Sequence, residues 1–282
     1  MQRFRIILAG ILMLCLVVIA IGCGDDDDIT ASGSPPAYID AEISLQPNCH
    51  FYGEVHFNGG LVTVLDSVTV GDSLGSPIVH PYWGGANPHF SFEINEDGDD
   101  YMFTSGDNVE VVFYGHGKTS YASVTVLDHY DDIVSIVSPQ NQSTVSQGVP
   151  LTFIWHKVEP AEWYGLYYSG MYDSLGKPVE FSEYTYAMDT TYTFAADQFM
   201  SSLDHILFNV ISCTGPDPRT TTGNITGDYA IGKVFSYSDF VSLYIYGEGV
   251  DKKRGVQDQS FAQMREDVNP RGIIQKIYDQ AR

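Results

Sequence analysis

Basic side chains are scarce in this 282-residue chain: 14 Lys and Arg stand against 36 Asp and Glu, a formal charge of −22. A surface of that sign repels phosphate backbones, which excludes nucleic acid as a partner. Cysteine is scarce too, present only as Cys15, Cys23, Cys49 and Cys213, with no C-x-x-C pair. The eight histidines contain no H-E-x-x-H frame, so no zinc spacing stands out. Long hydrophobic runs are missing as well. The stretch Ile6 to Ile21 is shorter than the roughly 20 apolar residues a bilayer span needs, and its length suits a signal peptide instead.

What surrounds that stretch is specific. Arg3 and Arg5 precede it, and Ala20-Ile21-Gly22-Cys23 closes it, followed by Gly24 and the aspartates Asp25 to Asp28. This pattern resembles a bacterial lipoprotein signal peptide, whose lipobox places small residues before a cysteine that becomes the lipidated N-terminus. The family usually has Leu where this chain has Ala20. Cys15 is a poor rival because bulky Leu12, Met13 and Leu14 precede it. The resemblance implies a signal peptide over 1–22, a lipid on Cys23, and a lipid-anchored protein of the cell envelope, at the outer membrane or cell surface. Ordinary secretory cleavage is the alternative. The mature chain of 260 residues then carries 12 basic against 36 acidic side chains, or −24.

Residues 23–37 read as an acidic flexible tether, since Asp, Ser, Gly and Pro bury no apolar surface; about 13 such residues span on the order of 20 Å. From Tyr38 the pattern turns to period two, with Ile39, Ala41, Ile43 and Leu45 on one face. Similar runs follow at Phe51–Phe57, Val62–Val70, Phe90–Ile94, Val109–Phe113 and Tyr121–Leu127, separated by turn formers such as Asn58-Gly59-Gly60. Short strands at this spacing predict a β-sandwich over 38–132. A second module, 133–250, opens with Ser138-Pro139 and the strand Leu151, Phe153, Trp155.

The series Trp155, Val158, Ala161, Tyr164, Leu166 resembles the early strands of bacterial fibronectin type III or Ig-like domains, which places Trp155 and Tyr164 in a core. Those domains often carry glycine where this chain has Gln142. The modules also resemble each other: Asp72-Ser73-Leu74-Gly75 recurs as Asp173-Ser174-Leu175-Gly176, an offset of 101, as a tandem repeat would require. The expected fold is therefore all-β, two tandem Ig-like or fibronectin III-like sandwiches after a signal peptide and disordered tether. The tail, 251–282, is net +2 against −26 for Gly24 to Val250. Asn269-Pro270 opens a short C-terminal helix with Ile273, Ile274, Ile277 and Tyr278 on one stripe. It packs on the second domain or docks on a partner.

Few constellations offer chemistry. Gly71-Asp72-Ser73-Leu74-Gly75 spells the GDSL signature of a hydrolase family, but a nucleophile elbow needs a helix after the serine, and Gly75-Ser76-Pro77 follows. No Asp-x-x-His supplies a base, so Ser73 is not activated. Asp128, Asp131 and Asp132 cluster at the module junction, where carboxylates could clamp Ca²⁺; an acidic linker is the plainer reading, and no other cofactor is expected. The loop from His80 to His89, with Tyr82 and Trp83 between its glycines and prolines, suits a glycan or peptide as well as it suits a cap on the sandwich. Cys49 and Cys213 either pair or remain separate buried thiols. The function expected is a non-enzymatic, lipid-anchored envelope protein that binds or assembles through its Ig-like domains. A carbohydrate-binding lipoprotein using Tyr82-Trp83 is the alternative, and an esterase at Ser73 the remote one.

Overall fold

The computed structural model describes residues 38–44, 50–56, 67–71, 78–79, 89–93, 104–115, 117–198, 202–220, 223–228, 232–250 and 269–280. Cys23, the tether and most of the His80–His89 loop lie outside them. The first half contributes β1 (Tyr38–Ser44), β2 (His50–His56), β3 (Ser67–Gly71), β4 (Ile78–Val79), β5 (His89–Glu93), β6 (Asn108–Gly115) and β7 (Lys118–Thr125). The second contributes β8 (Ile136–Ser138), β9 (Thr144–Val145), β10 (Leu151–Trp155), β11 (Trp163–Ser174), β12 (Lys177–Ala187), β13 (Thr191–Phe194), β14 (Leu203–Thr214), β15 (Thr226–Gly227) and β16 (Gly232–Gly247), followed by the helix α1 (Pro270–Gln280).

Both halves follow one strand order. In the first, β1-β2-β5 are neighbours and β4-β3-β6-β7 are neighbours; in the second, β8-β10-β13 form one sheet and β12-β11-β14-β16 the facing one. Three strands opposed to four, with the third strand switching sheets, is the Ig-type sandwich arrangement. The repeat offset reappears in the strands, since β2 starts at His50 and β10 at Leu151, 101 residues on. Asn141 Oδ1 accepts the Tyr244 amide at 2.8 Å. Next to it Gln142 holds φ at 61°, the left-handed backbone that explains why similar domains often carry glycine there.

The halves share hydrogen-bond ladders across the 132/133 boundary. β1 runs parallel to the start of β16, Ile39 opposite Gly232 and Ile43 opposite Ser236, which merges β1-β2-β5 with the β12-β11-β14-β16 sheet. β15, from the segment between β14 and β16, pairs with β7 through Thr226 and Tyr121. Asn224 bonds the Val234 backbone in both directions at 2.8 Å and reaches the Ser123 carbonyl at 3.1 Å. Asp228 accepts the Thr119 amide at 2.9 Å. Residues 37–282 accordingly form one compact unit.

Between the second half's sheets, alternate residues of β10 point inward. Leu151, Phe153 and Trp155 are buried with Leu166, Tyr168, Phe208, Val210 and Ile245. Trp155, 2% exposed, meets Tyr164, 3% exposed, edge to face at 5.3 Å, a geometry aromatic quadrupoles favour. Both residues are buried in this core. The Tyr164 hydroxyl accepts the Val158 amide at 3.1 Å, so its polar end is not stranded.

The outer face of the same sheet is covered too. α1 lays Ile273, Ile274, Ile277 and Tyr278 on Trp163, Tyr167, Ile211, Cys213, Phe235 and Tyr237, so the tail helix packs on its own second domain. Strands buried on both faces lose the polar alternation, which explains the nearly unbroken burial of β14. Gly165 makes room: a Cβ there would sit 3.4 Å from Ile277 Cδ1 and 3.5 Å from Cys213 Sγ. Asn269 caps the helix by accepting the Gly272 amide at 2.6 Å. Tyr278 donates to the Pro216 carbonyl at 2.8 Å, and the Lys233 ammonium lies 4.0 Å from the Tyr278 ring centre. Lys276, in contrast, is exposed on the helix and donates to Tyr184 at 2.8 Å.

Truncating Trp155 to Ala should cost about 3 to 5 kcal/mol and, because two ladders tie the halves, shift one cooperative urea transition; an unmoved second transition would refute the coupling. Ile277→Asp should undock α1 and let Ellman's reagent reach Cys213 under native conditions, whereas Lys276→Ala, which loses only exposed contacts worth about 1 kcal/mol or less, should leave the thiol protected.

Candidate functional site

Ser73 lies outside the described residues, but the strands on either side of it are antiparallel partners: Val68 faces Val79 and Thr69 faces Ile78. The GDSL segment thus lies in the chain between two antiparallel partners. Its echo is fully described. Leu175 and Gly176 take φ of 56° and 79°, and Ser174 pairs with Lys177, a two-residue hairpin loop of the primed type. Asp173 Oδ1 accepts the Gly176 amide at 2.7 Å. In this described copy the motif serves turn chemistry.

Of the recognition loop, His80, Tyr82 and Trp83 lie outside the described residues, while His89 opens β5 opposite Glu54. Cys49 also lies outside them. Cys213 is a free, buried thiol, and burial raises its pKa well above the usual thiol range, so it is protected rather than reactive.

The junction aspartates act as backbone acceptors. Asp128 Oδ1 takes the amides of Tyr130 and Asp131 at 2.8 and 2.9 Å; Asp132 Oδ2 takes the Asp128 amide and the Ser105 hydroxyl, both at 2.6 Å. Asp131 is exposed. Among the described residues no three His, Cys, Asp or Glu side chains converge as metal ligands. His129 sits within this turn, edge-on to Tyr130 at 4.8 Å and to Tyr237 at 6.1 Å. Its Nδ1 is buried without a hydrogen-bond partner among the described residues. Burial lowers its pKa, opposed in part by Asp239 and Asp128.

The concave feature that the sequence did not announce is a cleft of about 880 Å³ at the far end of β16. Ladder register builds its row: Met171 of β11 faces His205 of β14, which faces Tyr246 of β16. A register shift between Met171 and Tyr172 turns Tyr172 and Asp173 toward the same end. Two glycines next to lining residues allow the strands to close there, since a Cβ on Gly247 would lie 1.7 Å from the Leu203 carbonyl oxygen and one on Gly170 2.3 Å from that of His205. The far wall is held by Glu248, whose amide donates to Val145 at 3.0 Å and whose carbonyl accepts Gln147 at 3.2 Å.

The cleft is acidic. Asp173, Asp204 and Glu248 line it, and no lysine or arginine does among the described residues. His205, 9% exposed, holds its Nδ1 3.1 Å from Asp204 Oδ2. Burial, then neighbouring Tyr244, raises the Tyr246 pKa, so its hydroxyl stays a donor at neutral pH. Asp204-His205 is an ordinary strand start in one dimension, and no motif in the sequence marks this end as a cleft.

No protein-family model matches the chain, and no curated protein matches it. Among solved structures, the FN1–FN3 domains of chicken CNTN1 are similar at 10% sequence identity over 76% of this chain and 66% of that one, with a TM-score of 0.21. The sandwich assignment is carried by the strand order above and not by that likeness.

A histidine whose pKa is lowered in the folded chain binds its proton more readily when unfolded, so its stabilising share is present above about pH 6.5 and fades as pH falls below it. Urea midpoints measured from pH 7.5 to 5.5 should fall more steeply for the parent than for His129→Gln. Equal slopes would show that the junction imidazole contributes nothing to acid lability.

Proposed function

We propose that this chain is a lipid-anchored, non-enzymatic envelope protein that holds a binding site away from the membrane on a rigid pair of sandwiches. The anchor rests on Arg3, Arg5, the Ile6–Ile21 run and Cys23. The observation that carries the display role is the parallel pairing of β1 with β16. The chain enters the body at Tyr38, level with the start of β16, and the cleft opens beside Tyr246 and Val250 at its other end. Fourteen residue-to-residue steps from Gly232 to Tyr246, at about 3.3 Å each, separate the two by roughly 45 Å. The cleft therefore stands at the end of the body remote from Tyr38, where the chain enters it. The two cross-boundary ladders keep the body from bending at the junction, and the turn made by the repeated motif at Asp173 to Gly176 argues against an esterase at Ser73.

Cys23→Ser should move the protein from the membrane to the soluble fraction and remove the lipid mass from the mature N-terminus, because stable anchoring needs more than one acyl chain. A variant that keeps the adduct and stays in membranes would sink the anchor.

A further inference from the structure

We infer that the cleft at the far end of β16 recognises lysine and arginine side chains of an extended basic peptide on a partner protein. This ligand class presupposes that the distal end binds a partner at all. Three properties of the cleft select it. The charge of the described lining is of one sign: Asp173, Asp204 and Glu248 surround one opening, and among the described residues no lysine or arginine lines it. The apolar lining sets Tyr172, Tyr246 and Met171 among the aliphatic Pro178, Leu203 and Val250, and aromatic ring faces attract ammonium and guanidinium groups. The size, about 880 Å³, lies near the top of the range for ligand pockets, so a single ammonium leaves most of it empty while several cations on one chain can each meet a carboxylate. The long-range field agrees, since the region Gly24 to Val250 carries −26 and draws cations toward its surface. Neutral glycans gain nothing from that field, and acidic ligands are repelled by it.

The test is fluorescence anisotropy of a fluorescein-labelled tetra-arginine peptide with the full chain in nanodiscs at 0.05 and 0.15 M salt. The tetra-arginine peptide should bind and the tetra-glutamate peptide should not. Asp204→Asn combined with Glu248→Gln should weaken binding about tenfold; Asp204 and Glu248 are partly exposed and exposed respectively, so an unchanged urea midpoint is expected and separates loss of binding from loss of fold. Glu110→Gln, exposed on β6, should bind like the parent. Equal weakening by Glu110→Gln, or no weakening by the double variant, would overturn the site in favour of diffuse attraction. Spermidine that displaces the peptide at equal charge concentration would overturn the peptide in favour of a free polyamine. If no cation binds while Cys23→Ser still releases the protein from membranes, the ligand class fails and the anchored scaffold stands.

Discussion

Strand β16 fixes the relations among the other parts. Its sixteen residues take β14 antiparallel along one edge, and along the other they take β1 at the beginning and β9 at the end, both parallel. A ladder satisfies backbone groups that would otherwise cost free energy when buried, so each of these partners is held by the same accounting. Because β1 opens the first sandwich and β16 closes the second, one strand joins the sheets of both. Flexible linkers leave tandem domains free to move; two shared ladders and the Asn224 bridge remove that freedom here.

The second constraint is burial on both faces of the β11, β14 and β16 sheet. The inner face pairs with β8, β10 and β13, and the outer face would expose Trp163, Ile211, Cys213 and Phe235 if α1 did not cover them. Each fully buried Ile or Tyr contributes roughly 1.5 to 3 kcal/mol, so the helix is a structural part of the second domain. Its coverage ends partway along the sheet. Beyond it Asn209 accepts from Ser242 at 2.6 Å, and then the Met171, His205, Tyr246 row opens to the cleft. One sheet face thus changes from sealed to polar to concave along its length.

Charge is partitioned between the ends in a similar way. At the junction the carboxylates of Asp128 and Asp132 are occupied by backbone amides, and occupied acceptors have less to offer a ligand. At the distal end Asp173 gives one oxygen to its turn and Asp204 lies beside His205, while Glu248 is exposed. Similar acidic residues in two loops therefore differ in what they can do, and hydrogen bonding decides the difference.

Much of the fold was legible in one dimension because period-two alternation and turn residues report local geometry. Leu151, Phe153 and Trp155 announced a strand with one buried face, the 101-residue echo announced a repeated sandwich, and Asn269-Pro270 with its isoleucine stripe announced a capped amphipathic helix. The helix's choice between its own sheet and a partner was not legible, since an apolar stripe states only that something covers it. The pairing of β1 with β16 was beyond reach for the same reason. Ladder partners separated by almost two hundred residues are chosen by backbone geometry and packing, with no local residue marking them. The cleft followed from that choice, as Met171, His205 and Tyr246 become neighbours only when three registers are set together. The sequence by itself determined which segments are strands and which faces are apolar; the tertiary structure alone decided which edges meet, because hydrogen-bond ladders between distant strands are a property of the assembled sheet.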